Sequence, residues 1–183
     1  MYRPHGRGAI VCSYLTFTDP TLKRAFRLPL VHIRLCHKDK SFRTDALVDS
    51  GATVTFIPLE LMNVLGFDLA PEGVDPPNQT TEEEKPKAKH QAVGAGGLFS
   101  TYEVKIDSIQ MIKGSFAFAE FKDWSVLVPS RIGSIPHAVL GRDSVFKKFD
   151  VTYRENKEEM VFRRPKQDGT PWGRARPTRN LLH

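Results

Sequence analysis

Hydrophobic and polar residues alternate along most of this chain, which is the pattern of half-buried β-strands. In LPLVHIRL (28–35), every second residue from Val31 to Leu35 is aliphatic, and TYEVKID (101–107) has the same period. The segments SFAFAEF (115–121) and WSVLV (124–128) are rich in aromatic and β-branched residues, which favours two further strands.

Only two helices are predicted, and both are short. LELMNVL (59–65) lies between Pro58 and Gly66, with proline at the first turn and glycine just past the end. GRDSVFKKF (141–149) has Asp143 or Ser144 near a helix start and two lysines in the last turn. Many strands and few helices predict an all-β fold, either a barrel or a sandwich.

Two segments depart from this alternation. Residues 71–90, PEGVDPPNQTTEEEKPKAKH, are rich in proline and charge and poor in apolar residues, so we predict a mobile insertion. Residues 163–183 carry six lysines and arginines against one aspartate, and we predict a flexible basic tail. The domain itself is assigned to residues 24–162, preceded by an extension, residues 1–23, that can contribute a strand.

The overall charge and the cysteines narrow the function classes. The net charge of +6 leaves open a contact of the tail with nucleic acid or another acidic partner, although such tails are more often solvated ends. No apolar run approaches the roughly 20 residues that span a bilayer, and we predict neither a signal peptide nor membrane contact. Cys12 and Cys36 fit no disulfide framework, which predicts buried free thiols and a cytoplasmic protein. The six histidines lack metal-ligand spacing, so no metal or cofactor is expected.

The segment LVDSGATVTFIP (47–58) carries the candidate chemistry. Asp49 follows an apolar strand, small residues follow it, and apolar residues resume at Val54. A serine nucleophile elbow requires G-x-S-x-G, and the residue two before Ser50 is Val48, which disfavours a serine hydrolase. D-S-G is also common in surface turns. The apolar flanks favour a catalytic acid at Asp49 over a simple turn.

Four segments, taken in order, resemble the retropepsin family, the single-domain aspartic proteases of retroviruses and their cellular relatives. LPLVHIRL resembles the family's early strand, ALVDSGA its catalytic loop, VGAGG its glycine-rich flap, and AVLGRD the hydrophobic-hydrophobic-glycine loop before the C-terminal helix. The resemblance covers roughly residues 26–154. It implies a retropepsin-like acid-protease fold with a closed β-barrel-like sheet, a flap and a short C-terminal helix, assembled as a homodimer.

The resemblance also implies a function and a set of site residues. Two carboxylates that share a proton can hydrolyse a peptide bond, and a chain with one D-S-G obtains the pair from two copies of Asp49, acting on a polypeptide substrate. The implied supporting residues are Ser50, Gly51 and Ala52 in the catalytic loop, Gly94, Ala95, Gly96 and Gly97 in the flap, and Leu140, Gly141, Arg142 and Asp143 in the structural loop. Candidate pocket residues are Leu47, Ala52, Val54 and Val139.

The chain also departs from the family pattern. Thr53 stands where many retroviral members have an aspartate that pairs with the arginine of the glycine-arginine dipeptide, so the partner of Arg142 is left open: a dimer contact or another acid. Ala95 replaces a bulkier flap residue. Arg142 and Asp143 as plain helix-start charges, and GAGG as an ordinary flexible loop, remain alternatives. The alternative function is a catalytically weak or inactive dimerisation module of this fold, whose basic tail contacts nucleic acid or acidic partners.

Overall fold

Antiparallel strands form most of the protein, and the prediction of a mostly β fold with few short helices is confirmed. The computed structural model describes residues 9–19, 21–71, 87–94 and 97–165. Its strands are β1 (Ile10–Ser13), β2 (Leu15–Asp19), β3 (Arg24–Leu28), β4 (Leu30–His37), β5 (Lys40–Val48), β6 (Lys87–Gly94), β7 (Gly97–Lys113), β8 (Phe116–Pro129), β9 (Ala138–Leu140), β10 (Asp150–Arg154) and β11 (Glu159–Arg163). Its α-helices are α1 (Leu59–Val64) and α2 (Val145–Lys148), and a short 3-10 turn covers Glu155–Lys157.

The largest sheet holds the segment with the candidate chemistry. Its strand order is β6-β7-β4-β5-β9, with β8 paired to β7. β7 is 17 residues long, so it pairs with β8 along one side and, in successive parts, with β6 and β4 along the other. β9 runs parallel to β5, with Leu47 opposite Val139 and Val48 opposite Leu140. This parallel pair brings two segments that are far apart in the chain to the same edge of the sheet.

Among the residues that the structure describes, the sheets do not close into a barrel, so the prediction of a closed β-barrel-like sheet is wrong. Over the described residues the strands form three separate sheets: the six-stranded one, β1-β11-β10, and β2-β3. Alternation determines which face of a strand is buried but does not specify which strands pair. Closure therefore depends on long-range pairing that local pattern does not encode.

The core confirms the predicted buried faces. Val31, Ile33 and Leu35 of β4 are buried, while His32 and Arg34 between them are exposed and half-buried respectively, as the period of two requires. The two strands predicted within 115–128 form the single strand β8, with Asp123 in the left-handed region (φ 50°) between the two halves. Phe121 and Phe162 are among the largest fully buried side chains, and the ring centroid of Phe118 in β8 lies 5.6 Å from that of Phe162 in β11, which packs β8 against the β1-β11-β10 sheet.

The outlying segments are only partly described. β6 begins at Lys87, so the last four residues of the predicted insertion 71–90 belong to a strand that pairs with β7, while residues 72–86 lie outside the described residues. The extension 1–23 contributes β1, which pairs with β11, and β2. The tail beyond residue 165 lies outside the described residues. Over the part that is described, no helix has the length and apolar character needed to cross a membrane.

Both cysteines are free, as predicted, but they are half-buried rather than buried. Burial raises the pKa of the Cys12 thiol to about 11, because a thiolate is poorly solvated there. This thiol is therefore protonated near neutral pH and is a poor nucleophile.

Candidate active site

Asp49 directly follows β5, at the place where β5, β9 and the segment around Phe56 lie side by side. We refer to this arrangement of three segments as the crossing. β9 lies between β5, to which it is parallel, and the segment around Phe56, to which it is antiparallel. The Phe56 N–H donates to the Val139 carbonyl oxygen at 2.9 Å, and the Val139 N–H donates back to the Phe56 oxygen at 2.8 Å. The Asp49 N–H donates to the Leu140 oxygen at 3.2 Å. The chain thus enters and leaves the D-S-G turn along the two sides of β9.

Backbone N–H groups of the D-S-G turn and of the residue after it form hydrogen bonds to Asp49. The Gly51 N–H donates to Asp49 Oδ1 at 2.7 Å, and the Ala52 N–H donates to the Asp49 carbonyl oxygen at 3.3 Å. A Cβ atom added at Gly51 would lie 3.1 Å from Asp49 Oδ1, so the backbone approaches the carboxylate more closely than side chains normally permit. Asp49 is half-buried, and Ser50 and Gly51 are exposed. The carboxylate is therefore held in a defined orientation at an accessible position.

The loop after β9 packs along the residues that follow the turn. The Arg142 N–H donates to the Ala52 oxygen at 2.9 Å, and the Asp143 N–H donates to the Thr53 oxygen at 3.1 Å. A Cβ at Gly141 would lie 2.3 Å from the Val54 carbonyl oxygen, which no side chain tolerates. The glycine is required here by the close approach of two backbones.

Arg142 and Asp143 have specific partners in this arrangement. The Arg142 guanidinium donates to Thr53 Oγ1 at 3.3 Å, so it contacts the residue that departs from the family pattern. Asp143 accepts from the Thr55 N–H at 3.2 Å and from the Thr55 hydroxyl at 2.8 Å. α2 begins at Val145, and Ser144 in the capping position makes no side-chain cap. The interpretation of Asp143 as a plain helix-start charge is therefore wrong.

Sequence reasoning missed two polar side chains that hold this crossing together. Thr55 is completely buried, and its hydroxyl oxygen lies 2.8 Å from that of Ser144, which donates to the Gly141 oxygen at 3.1 Å. Tyr153 of β10 donates its hydroxyl to the Val48 oxygen at 2.9 Å. Thr55 is the one polar residue in the apolar run VTFI (54–57), and this position could have indicated a buried hydroxyl. No local feature of the sequence indicates the role of Tyr153.

The hairpin β6–β7 contains the glycine-rich segment. Gly94 pairs with Gly97 and Val93 with Leu98, and Gly97 has φ +101°, a conformation that favours glycine. Ala95 and Gly96 lie outside the described residues. Val93 and Leu98 are 78% and 69% exposed, which places two large apolar side chains in solvent near the end of the hairpin.

Half-buried aliphatic residues lie on the same side of the sheet as Asp49. Leu47 of β5 pairs with Val139 of β9, and Asp49 follows two residues later, just past the end of β5, so all three side chains leave the same face. Ala52 and Val54, in the segment that follows, are half-buried as well. This partial exposure is what the candidate pocket residues require.

A second polar cluster lies at the other end of the β5–β9 pair. An open cavity of about 470 Å³ is lined by His32, Arg43, Thr44, Asp45, Ile112 and His137. His32 Nδ1 lies 2.6 Å from Asp45 Oδ1, and the His137 ring meets Phe17 edge-on at 4.5 Å between centroids. Burial lowers the pKa of His137, and the Asp45 charge opposes this effect. Within the described ranges, no group of three or more His, Cys, Asp or Glu residues could hold a metal ion.

The lowered pKa of His137 predicts a stability that decreases in mild acid. The unfolded chain binds this proton near the ordinary pKa of about 6.5, whereas the folded chain binds it only at lower pH. The contribution is therefore complete above that value and is lost as the pH decreases through the folded pKa. We expect urea unfolding of wild type to lose more stability between pH 7 and pH 5 than His137→Gln loses. Equal losses in wild type and His137→Gln would contradict the prediction.

Comparison with known proteins identifies the fold. No model of a known protein family matches the sequence, and no curated protein sequence matches it. The structure is similar to the crystal structure of a retropepsin-like aspartic protease from Rickettsia conorii, with a TM-score of 0.52 and 18% sequence identity over 84% of this chain and 98% of that chain. At this identity the similarity concerns the fold. The chain has the fold of a retropepsin-like aspartic protease.

Proposed function

We propose that this protein is an aspartic endopeptidase whose active site contains Asp49 from each subunit of a homodimer. The observation that carries the proposal is the accessible Asp49 carboxylate, oriented at 2.7 Å by the Gly51 N–H at the end of β5. The retropepsin-like fold supports it, because the D-S-G turn and the loop after β9 occur together in the crossing described above.

The chemistry requires two carboxylates, and the chain has one D-S-G. One carboxylate activates the attacking water as a base, while the other carries the proton that the tetrahedral intermediate needs. Two like charges about 3 Å apart cannot both ionise, so the pair retains one proton and supplies both functions. A two-fold axis beside Ser50 would bring the second Asp49 to the first, with each Ser50 hydroxyl holding the partner loop.

The substrate proposed is an extended polypeptide. Leu47 and Val139 on the face of Asp49 supply apolar surface, and the exposed Val93 and Leu98 supply more on the β6–β7 hairpin. A peptide strand bound between these surfaces would take backbone hydrogen bonds from the protein and place alternate side chains in apolar pockets. The hairpin would act as a flap that closes over the peptide and excludes water.

Incubation of the purified protein with a peptide library, between about pH 4 and pH 7, tests this function. We expect cleavage that pepstatin blocks and that is faster on the acid side of neutral, because the active pair must keep its shared proton. Pepstatin-resistant cleavage would contradict the mechanism. If a folded, dimeric protein cleaves no peptide, the proposed peptidase activity is contradicted and the alternative, a dimerisation module of the same fold, is favoured.

Because the proposed active site needs two subunits, the specific activity should depend on protein concentration. Because each subunit supplies one Asp49, specific activity should decrease as the protein is diluted through the dissociation constant of the dimer. Sedimentation measured over the same concentrations should follow the loss of activity. Constant specific activity in a protein that sediments as a monomer would exclude a shared site.

A further inference from the structure

Tyr153 binds the peptide group that precedes Asp49. Its hydroxyl donates to the Val48 carbonyl oxygen at 2.9 Å, and the N–H of the same peptide group, that of Asp49, donates to the Leu140 oxygen at 3.2 Å. This one peptide plane is therefore held from both sides, by the phenol of β10 and by the backbone of β9. A displacement of this plane would move the Cα of Asp49 and, with it, the carboxylate.

The strand that carries Tyr153 is firmly anchored. β10 pairs with β11, and β11 pairs with β1, so Tyr153 lies opposite Met160, which is fully buried. The phenol is thus a fixed support for the catalytic turn.

The electrostatic environment keeps Tyr153 a hydrogen-bond donor. Burial raises the pKa of its hydroxyl to about 12, and the nearby negative charges of Asp49 and Glu155 act in the same direction. The phenol therefore stays protonated throughout the acidic and neutral range. Its donation to the Val48 oxygen does not vary with pH in that range.

We propose that Tyr153 is a positioning residue for catalysis: its hydroxyl fixes the Val48–Asp49 peptide and thereby the direction in which the Asp49 carboxylate faces the substrate. This inference rests on the proposed peptidase function. Tyr153 itself touches no reacting atom in this assignment. Its effect is on the geometry of the catalytic carboxylate, and small displacements of a catalytic group reduce the rate of the chemical step more than they reduce binding.

Tyr153→Phe removes only the hydroxyl and is the appropriate variant. Without this hydrogen bond the Asp49 carboxylate is less well oriented, and we expect kcat to decrease about five- to tenfold, with KM within about twofold of wild type. Tyr14→Phe is the matched control, since it removes a tyrosine hydroxyl bound to Glu155 in the same region without touching the catalytic turn. Wild-type kcat in Tyr153→Phe would overturn the inference. So would a decrease in kcat of the same size in both variants, because it would indicate a general loss of structure.

A second measurement is independent of activity. The Gly51 amide proton is bound to Asp49 Oδ1, so its chemical shift in an NMR spectrum of the labelled protein reports the position of the carboxylate. We expect this resonance to move in Tyr153→Phe and to stay in place in Tyr14→Phe. An unchanged Gly51 resonance in Tyr153→Phe overturns the positioning role. If the Gly51 resonance moves in Tyr153→Phe while the wild-type protein cleaves no peptide, the positioning of the Asp49 carboxylate by Tyr153 is supported and the peptidase proposal is contradicted.

Discussion

Replacing Asp49 by asparagine should abolish peptide cleavage while leaving the fold intact. The substitution removes the group that activates water and shares the proton, and such acid–base contributions are worth about 10²- to 10⁴-fold in rate. Both members of the proposed pair change at once in a homodimer. We therefore expect kcat/KM to decrease by a factor at or beyond the upper end of this range. Asparagine retains an oxygen that can accept from the Gly51 N–H, so the turn should keep its conformation.

The measurement is kcat/KM on a cleaved library peptide, with the unfolding midpoint recorded for each protein. Asp123→Asn is the matched control, because it makes the same change at an exposed carboxylate of β8. Unchanged turnover in pure Asp49→Asn would eliminate the aspartic-protease mechanism. Mixing equal amounts of wild type and Asp49→Asn gives half heterodimers by random pairing, so activity per wild-type subunit should decrease toward half if each site needs both carboxylates.

Replacing Gly141 by alanine should have the largest effect on stability. The added Cβ would lie 2.3 Å from the Val54 carbonyl oxygen and 2.6 Å from the Val54 carbonyl carbon, and neither belongs to a flexible side chain. Relief requires the segments 52–54 and 141–143 to separate, which would stretch the hydrogen bonds from Arg142 to Ala52 and from Asp143 to Thr53. Overpacking that forces backbone to shift typically costs about 1–3 kcal/mol, and we expect at least about 3 kcal/mol here.

Urea unfolding of Gly141→Ala and Gly133→Ala provides the comparison. Nothing lies within 4 Å of a Cβ at Gly133, so that variant incurs only the strain of its φ of +69°, about 1–2 kcal/mol. A Gly141→Ala protein no less stable than Gly133→Ala would mean that the two backbones separate at little cost. In that case the packing of Gly141 against Val54 would not be what holds the loop after β9 against the catalytic turn.

Local pattern was sufficient for the elements and for the principal candidate residue. The two-residue period of LPLVHIRL predicts β4 with Ile33 and Leu35 buried, because alternate side chains leave opposite faces of a strand. Proline before and glycine after LELMNVL predict α1, because each residue suits the backbone at one helix end. An aspartate between an apolar strand and small residues predicts an accessible carboxylate at a turn, which is where Asp49 lies.

The tertiary structure alone decided what surrounds that carboxylate. Thr55 meets Asp143 across 88 residues of chain, and Tyr153 meets Val48 across 105. Which strands pair, and whether the sheet closes, likewise depend on contacts between distant segments. The alternation of apolar and polar residues records the side of a strand that is buried, since burial acts on each residue separately. The alternation does not indicate which distant residue or strand is the hydrogen-bond partner. Such a bond forms only after the whole chain has brought its donor and acceptor together.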